Sequence, residues 1–276
     1  MFPAFRIFGI MNNPSLPNIY TEAILAAIEA SSVIVEVYKE EVEEIIKQDG
    51  SPVTKADLAA SKIISSRLEA TGIPILGEEL EKDSFAIRKQ WSENWCVDPL
   101  DGTRMFLMKN GEFGVCIAHV VDHTSVFGII ADPLNRKLLI GGPDYGAYCL
   151  SFDQYLDSSS WQVLKPLSEA NNPLQIICSR GYRVDKHIDA ICDHIPHGRC
   201  EYIGKGSALK FFDLAFGLAD VYPRFAPTME WDIAAGQAIL EALGGSVIDV
   251  VTMQPLTYNK ESLYNPHFIA KISPLN

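Results

Sequence analysis

The chain is poor in positive charge: 23 lysines and arginines face 35 aspartates and glutamates, giving a formal net charge of -12. That balance excludes a broad basic footprint, and with it a protein that grips nucleic acid polymers through phosphate contacts. Any anionic ligand must be met by a local site with help from cations. Cysteine is scarce and unpatterned. Six are present, none in a CxxC pair, and Cys96 and Cys116 sit in the apolar runs "WCVD" and "GVCIAHV". This argues against a disulfide framework and predicts reduced thiols in a cytoplasmic setting. Apolar runs of bilayer-spanning length are lacking, so no transmembrane segment is expected. The opening "MFPAFRIFGIMNNPSLP" has a short, interrupted apolar stretch and no small-residue cleavage pattern, so it reads as an irregular extension rather than a signal peptide. Peripheral association with the inner face of the cell membrane stays open, although no helix pairs a basic face with exposed large apolar residues. Monomer and homodimer are both compatible with the composition.

What is present is a globular chain of 276 residues, 47% hydrophobic, enough for a sizeable core. Apolar positions recur at helical spacing from Ile19 to about Lys47, which predicts one long helix, bent or divided. "KQDGSPVTKAD" breaks the pattern, and Asp57 opens a second helix that Gly72 closes. Six strand-like runs follow, from "IPILGEE" to "GAYCLS", and predict a mostly antiparallel sheet packed on the two helices. The polar stretch "DQYLDSSSWQVLKPLSEANN" marks a boundary. Beyond it β and α segments alternate, including a helix over "VDKHIDAICDHI". The expected class is α/β: an α+β lobe over residues 1–150 and an α/β lobe over residues 151–276.

Four acidic positions stand at strand ends or helix starts: Glu78 with Glu79 in "ILGEEL", Asp98 and Asp101 in "DPLDGT", and Asp232 in "EWDIAAG". Inward carboxylates at the end of a buried strand are costly to desolvate unless a cation or hydrogen-bond donors compensate. A divalent cation compensates several at once, and an all-oxygen donor set selects Mg²⁺, Mn²⁺ or Ca²⁺ over Zn²⁺. Pro99 holds Asp98 extended, and the following turn can aim the Leu100 carbonyl at the same point. Gly102 and Thr103 open a turn whose N–H groups suit a phosphoryl group. "DPLDGT" alone is equally an ordinary β-turn, and Asp232 alone is equally a helix N-cap.

Taken together and in order, "GEE", "DPLDGT" and "WDIAAG", with "DGSPVTKAD" upstream, resemble the lithium-sensitive, magnesium-dependent phosphatases of the inositol monophosphatase superfamily. The resemblance implies a layered αβαβα fold and two or three Mg²⁺ ions. It places Glu78, Asp98, Asp101, Asp232 and the Leu100 carbonyl as metal ligands, and Asp57 with Thr103 as the pair that orients and activates water. Glu79 would then support Glu78. The C-terminal half, in "ICSR", "IGKGSALKF" and "VYPRFAPTMEWDIAAG", resembles the 3'(2'),5'-bisphosphate nucleotidases of that superfamily. This implies a phosphorylated nucleotide substrate. It would be met by Glu78, Leu100, Asp101, Gly102, Thr103 and Asp232 on the metal side and by Arg180, Lys205, Lys210 and Arg224 on the other. Two departures stand out: Arg104-Met105 replaces a usual Lys-Glu, and Gly181-Tyr182 replaces a usual Ser-His. An inositol- or sugar-phosphate phosphatase is the alternative activity. A catalytically idle phosphate-binding protein would lack a ligand or the water-activating pair, and neither is missing. The "CDHIPHGRC" loop, with Cys192, His194, His197 and Cys200, lacks a standard zinc spacing and reads as a surface loop. His119 and His123 have no evident partner in the sequence.

Overall fold

The apolar periodicity that begins at Ile19 is helical only to Tyr38. In the computed structural model, which describes residues 16–47, 50–180 and 199–275, helix α1 spans Asn18–Tyr38. The expected helix to Lys47 is therefore too long. Four glutamates, at 40, 41, 43 and 44, follow with no opposing cation among them and little to bury. Lys109 Nζ donates to the Tyr38 and Glu40 carbonyls at this helix end, the second at 2.8 Å, and satisfies groups the helix leaves over. Strand β1 (Ile45–Ile46) then pairs antiparallel with β2 (Pro52–Val53). By length and composition α1 could cross a bilayer, contrary to the reading of the sequence. Here its face of Ala23, Ile24, Ala27, Ala30 and Ile34 is buried in the core.

Helix α2 (Lys55–Leu68) runs alongside α1, and Gly72 at φ +73 ends the turn that follows it. The first sheet has the order β3-β4-β5-β6-β7-β8-β9. Its strands are β3 (Ile75–Gly77), β4 (Glu93–Asp101), β5 (Gly114–Val121), β6 (Thr124–Asp132), β7 (Lys137–Gly142), β8 (Gly146–Ser151) and β9 (Gln162–Leu164). Only β3 and β4 run parallel; the other neighbours are antiparallel. Two short helices interrupt the series, α3 (Phe85–Arg88) and α4 (Thr103–Leu107).

Strand alternation sorts this sheet into two faces. Trp95, Val97, Val115, Ile117, Phe127 and Ile129 face α1 and α2. Cys96, Cys116, Ala118, Ile130 and Leu139 face the other way, onto α5 (Lys210–Ala215) and α6 (Glu230–Ala242). Those helices also cover a second sheet, of order β11-β10-β12-β14-β13. It comprises β10 (Leu174–Cys178), β11 (Cys200–Gly204), β12 (Val221–Arg224), β13 (Ser246–Asp249) and β14 (Phe268–Lys271). The described layers are thus α, β, α, β. The helix expected over 184–195, the Gly181-Tyr182 pair, most of the "CDHIPHGRC" loop and the N-terminal extension to residue 15 lie outside the described residues.

Two contacts fix how the layers seat. The Tyr20 hydroxyl lies 3.1 Å from His119 Nδ1, whose Nε2 lies 2.9 Å from Glu93, so His119 pins α1 to the sheet. Burial pushes the His119 pKa down, which keeps that imidazole neutral between its partners. On the other face, α6 presses on β6 at Gly128, and nearby Ser125 Oγ donates to the Ala234 carbonyl at 2.7 Å. A Cβ on Gly128 would stand 2.0 Å from the Ala235 carbonyl oxygen. Gly128→Ala should therefore destabilise the fold by about 1–3 kcal/mol through overpacking, and should also displace α6, which carries Asp232. Urea unfolding and divalent-cation titration of the variant check both effects; a variant with the parent's unfolding midpoint contradicts this account of the seat.

Candidate active site

The end of β4 explains how two carboxylates three residues apart reach one point. Asp98 pairs with Cys116 and Asp101 with Gly114, so β4 advances three residues while β5 advances two. The extra residue is a bulge at Pro99-Leu100, and Pro99 contributes no N–H to the ladder. In a regular strand Asp98 and Asp101 would point to opposite faces; the bulge returns Asp101 to the side of Asp98. Asp232 arrives from α6. One carboxylate oxygen from each of Asp98, Asp101 and Asp232 lies within 4.8 Å of the others.

Asp232 does not occupy the N-cap position that its sequence suggests. It is the third residue of α6, and its Oδ2 accepts from the Met229 N–H at 2.9 Å. Asp57 stands at the same position of α2. Its Oδ2 accepts from Thr54 N at 2.7 Å and Thr54 Oγ1 at 2.6 Å, and Thr54 Oγ1 in turn accepts from Ala56 N at 3.1 Å. The other oxygen, Asp57 Oδ1, accepts from Thr103 Oγ1 at 3.0 Å. That hydroxyl also lies 3.2 Å from the Leu100 carbonyl. Thr103 is thereby placed between Asp57 and the bulge.

The charges in this group are poorly compensated by the protein itself. Asp98 is buried, and its side chain accepts from Leu100 N at 2.9 Å. Burial, then the neighbouring charges of Glu78, Asp101 and Asp232, push its carboxyl well above the usual range. Burial and Asp101 push Asp232 up to about 8. Burial also raises Asp57, against the hydrogen bonds from Thr54 and Thr103. Asp101 is braced by the Ala208 N–H, from the bend that precedes α5. Hard oxygen donors that repel one another across a small gap match a divalent cation of the Mg²⁺ type.

Glu78 lies at the rim of this group. Lys47 Nζ donates to Glu78 Oε1 at 2.8 Å and to Glu79 Oε1 at 2.5 Å. Burial works against the Lys47 charge, but these two bonds outweigh it and push its pKa up. Beside Asp101 and Asp232 opens a cavity of about 100 Å³, lined also by Ser179, Ser207, Lys210, Tyr222, Arg224 and Thr228. Lys210 is buried, and its Nζ donates to the Ser207 carbonyl at 2.6 Å and sits 4.9 Å over the Tyr222 ring. Burial pushes its ammonium down to about 8. The Arg224 guanidinium donates to Ser179 Oγ and to the Ala226 and Pro227 carbonyls, both at 3.1 Å.

The other two cations expected from the sequence do not line the cavity. Lys205 donates to both oxygens of Asp213 at 2.8 and 2.9 Å, and Arg180 pairs with Glu112, Nε to Oε2 at 2.8 Å. Gly102 precedes α4 at φ +92, a conformation that favours glycine. Sequence reasoning passed over Lys47, Ser207, Thr228 and Glu112. Lys47 stood inside an expected helix, and nothing local to "NGEF" distinguishes Glu112 from a solvated glutamate.

Comparison with known proteins gives a consistent picture. The model of the inositol monophosphatase family matches residues 15–271. The 3'(2'),5'-bisphosphate nucleotidase CysQ of Haemophilus influenzae is 31% identical over 256 residues, 91% of this chain and 92% of that protein. The protein of the same description from Shigella flexneri is 35% identical, over 89% of this chain and 96% of its own length. Among solved structures, CysQ from Bacteroides thetaiotaomicron superposes with a TM-score of 0.78 at 36% identity, covering 93% of this chain and 97% of that one.

Since a cation must displace the proton that Asp232 retains up to about pH 8, its affinity should rise with pH toward that value. The expected slope is about tenfold per pH unit for each proton displaced. Mn²⁺ titration of the metal-free protein between pH 6 and 9 measures it, and a flat profile contradicts the burial and repulsion described.

Proposed function

The chain belongs to the inositol monophosphatase family, and from that premise we propose that it is a Mg²⁺-dependent phosphomonoesterase that converts adenosine 3',5'-bisphosphate to AMP and phosphate. The relatives named above as bisphosphate nucleotidases support the substrate class. The observation that carries the reading is the composition of one cavity, lined by Asp101 and Asp232 together with Lys210 and Arg224. A ligand with two separated phosphates answers both the acidic group, through cations, and the two basic side chains. A singly phosphorylated polyol leaves the cations without an anion, at a cost in desolvation.

Asp98, Asp101, Asp232, the Leu100 carbonyl and Glu78 would hold the cations, two or three in number. Such cations, when bound, neutralise phosphoryl oxygens and acidify water. Asp57 receives the proton of the attacking water. Its raised pKa suits that task, and Thr54 and Thr103 fix which oxygen faces the site. The turn at Gly102 and Thr103 meets the phosphoryl group being transferred, while Lys210 and Arg224 hold the second phosphate. The thiols of Cys96, Cys116 and Cys149 are free and buried, which fits a proposed cytoplasmic setting.

A panel of adenosine 3',5'-bisphosphate, inositol 1-phosphate and fructose 1,6-bisphosphate, assayed with Mg²⁺ varied, tests the substrate. The nucleotide should give the highest kcat/KM, and a sugar phosphate in that place overturns the assignment. Asp57→Asn should lower kcat by about 100-fold or more with KM little changed, which steady-state kinetics on the same nucleotide will show.

A further inference from the structure

The bend Gly206–Ser207–Ala208 joins β11 to α5 and belongs to the second lobe, yet it is fastened to the first. Ser207 holds φ +63, the left-handed region that only a supporting frame makes tenable for a residue with a Cβ. The frame is tight. A Cβ on Gly102 would stand 2.8 Å from the Glu112 carbonyl oxygen and 3.1 Å from Ser207 Cβ. A Cβ on Gly206 would stand 2.7 Å from Met105 Cγ and 3.1 Å from Glu112 Oε2. Two backbone donors of the bend end on first-lobe carboxylates: Ala208 N–H on Asp101, and Gly206 N–H on Glu112 Oε2 at 2.8 Å.

Glu112 itself stands in the connection between α4 and β5, its side chain only 17% exposed. Arg180 grips its carboxylate from the end of β10, and the Glu112 N–H donates to Asn110 Oδ1 at 2.9 Å. An ion pair with a half-exposed arginine contributes little by itself. The hydrogen bond from the Gly206 N–H needs an acceptor oxygen at one point, which the Glu112 side chain reaches at 2.8 Å. It is also directional, and it acts on the segment that carries Ser207 into the cavity. The same segment accepts Lys210 Nζ at the Ser207 carbonyl and braces Asp101 through Ala208.

We infer that Glu112 is a positioning residue: its carboxylate ties the Gly206–Ala208 bend to the metal-holding lobe, so that the phosphate pocket and Asp101 keep one geometry. This rests on the phosphatase reading above. Releasing the tie frees the strained Ser207 to relax toward ordinary backbone, which swings Lys210's anchor and the Asp101 donor together. Met105 lies against Gly206 in the same contact, so the departure at this position falls on the bend rather than on the carboxylates.

Two substitutions separate reach from charge. Glu112→Gln keeps an oxygen at the right distance for the Gly206 N–H and loses the charge; Glu112→Asp keeps the charge and falls one methylene short. The readouts are kcat and KM on whichever phosphomonoester the parent hydrolyses best, and Mn²⁺ affinity of the substrate-free protein by electron paramagnetic resonance. Glu112→Asp should raise KM by about 10- to 100-fold and weaken Mn²⁺ binding several-fold, whereas Glu112→Gln should stay within about threefold of the parent on both. The reverse ranking, or no change in either variant, overturns the inference. So does a loss in Glu112→Asp confined to a lower Tm, with KM and Mn²⁺ affinity of the folded protein intact. Because the metal titration needs no substrate and the kinetic arm uses the parent's best one, an error in the nucleotide assignment leaves this test readable.

Discussion

Mutual repulsion among Asp98, Asp101 and Asp232 is the constraint on which the structure around them turns. Three carboxylate oxygens within 4.8 Å of one another, one of them on a fully buried side chain, form an arrangement that the folded chain must hold by force. Each is held by a backbone donor: Leu100 N on Asp98, Ala208 N on Asp101 and Met229 N on Asp232. These come from a strand bulge, a strained bend and a helix start. Among the described residues no cation of the chain pairs directly with any of the three. The geometry is fixed by backbone donors while the chain supplies no counter-charge, an arrangement that a divalent cation can answer.

The same device sets two of the acidic side chains. Asp57 and Asp232 are both third residues of helices, each reaching back to the N–H before its helix begins. A carboxylate so used has one oxygen committed to the backbone and the other aimed outward. For Asp57 the outward oxygen meets Thr103; for Asp232 the carboxylate stands beside those of Asp98 and Asp101. The helices then define where those oxygens stand, and α6, wedged between the sheets against Gly128, cannot shift without carrying Asp232 along. Precision at the site therefore depends on close packing some distance from it.

Much of this was legible in the residues. Short strand-like runs separated by turns announced every strand of the first sheet from β3 to β8, and the positions of "DPLDGT" and "WDIAAG" placed the acidic groups at element ends. The limits of local pattern show equally well. Periodicity carried the first helix through Ile45 and Ile46, because spacing alone cannot see that those residues find a partner strand rather than a core. Strand β9 hid in a stretch read as a polar boundary, since an edge strand with two exposed residues has little alternation to show. Asp232 was read as an N-cap, when the cap lies three residues earlier and its carboxylate reaches back to it.

The cations show most clearly why sequence stops short of a site. Arg180, Lys205, Lys210 and Arg224 are equivalent as letters, each near an apolar strand or helix start. In the fold they divide by the partners they find. Arg180 and Lys205 donate to carboxylates, of Glu112 and Asp213, so their charge is already answered within the chain. Lys210 and Arg224 are bonded to neutral oxygens, the carbonyls of Ser207, Ala226 and Pro227 and the hydroxyl of Ser179. Those bonds orient a cation without cancelling it. In a protein of net charge -12 these two cations are oriented by dipoles, as Lys109 and Arg88 are elsewhere, rather than by counter-ions. A phosphate entering that cavity replaces no internal salt bridge, so the attraction is not offset by a pair that must first be broken.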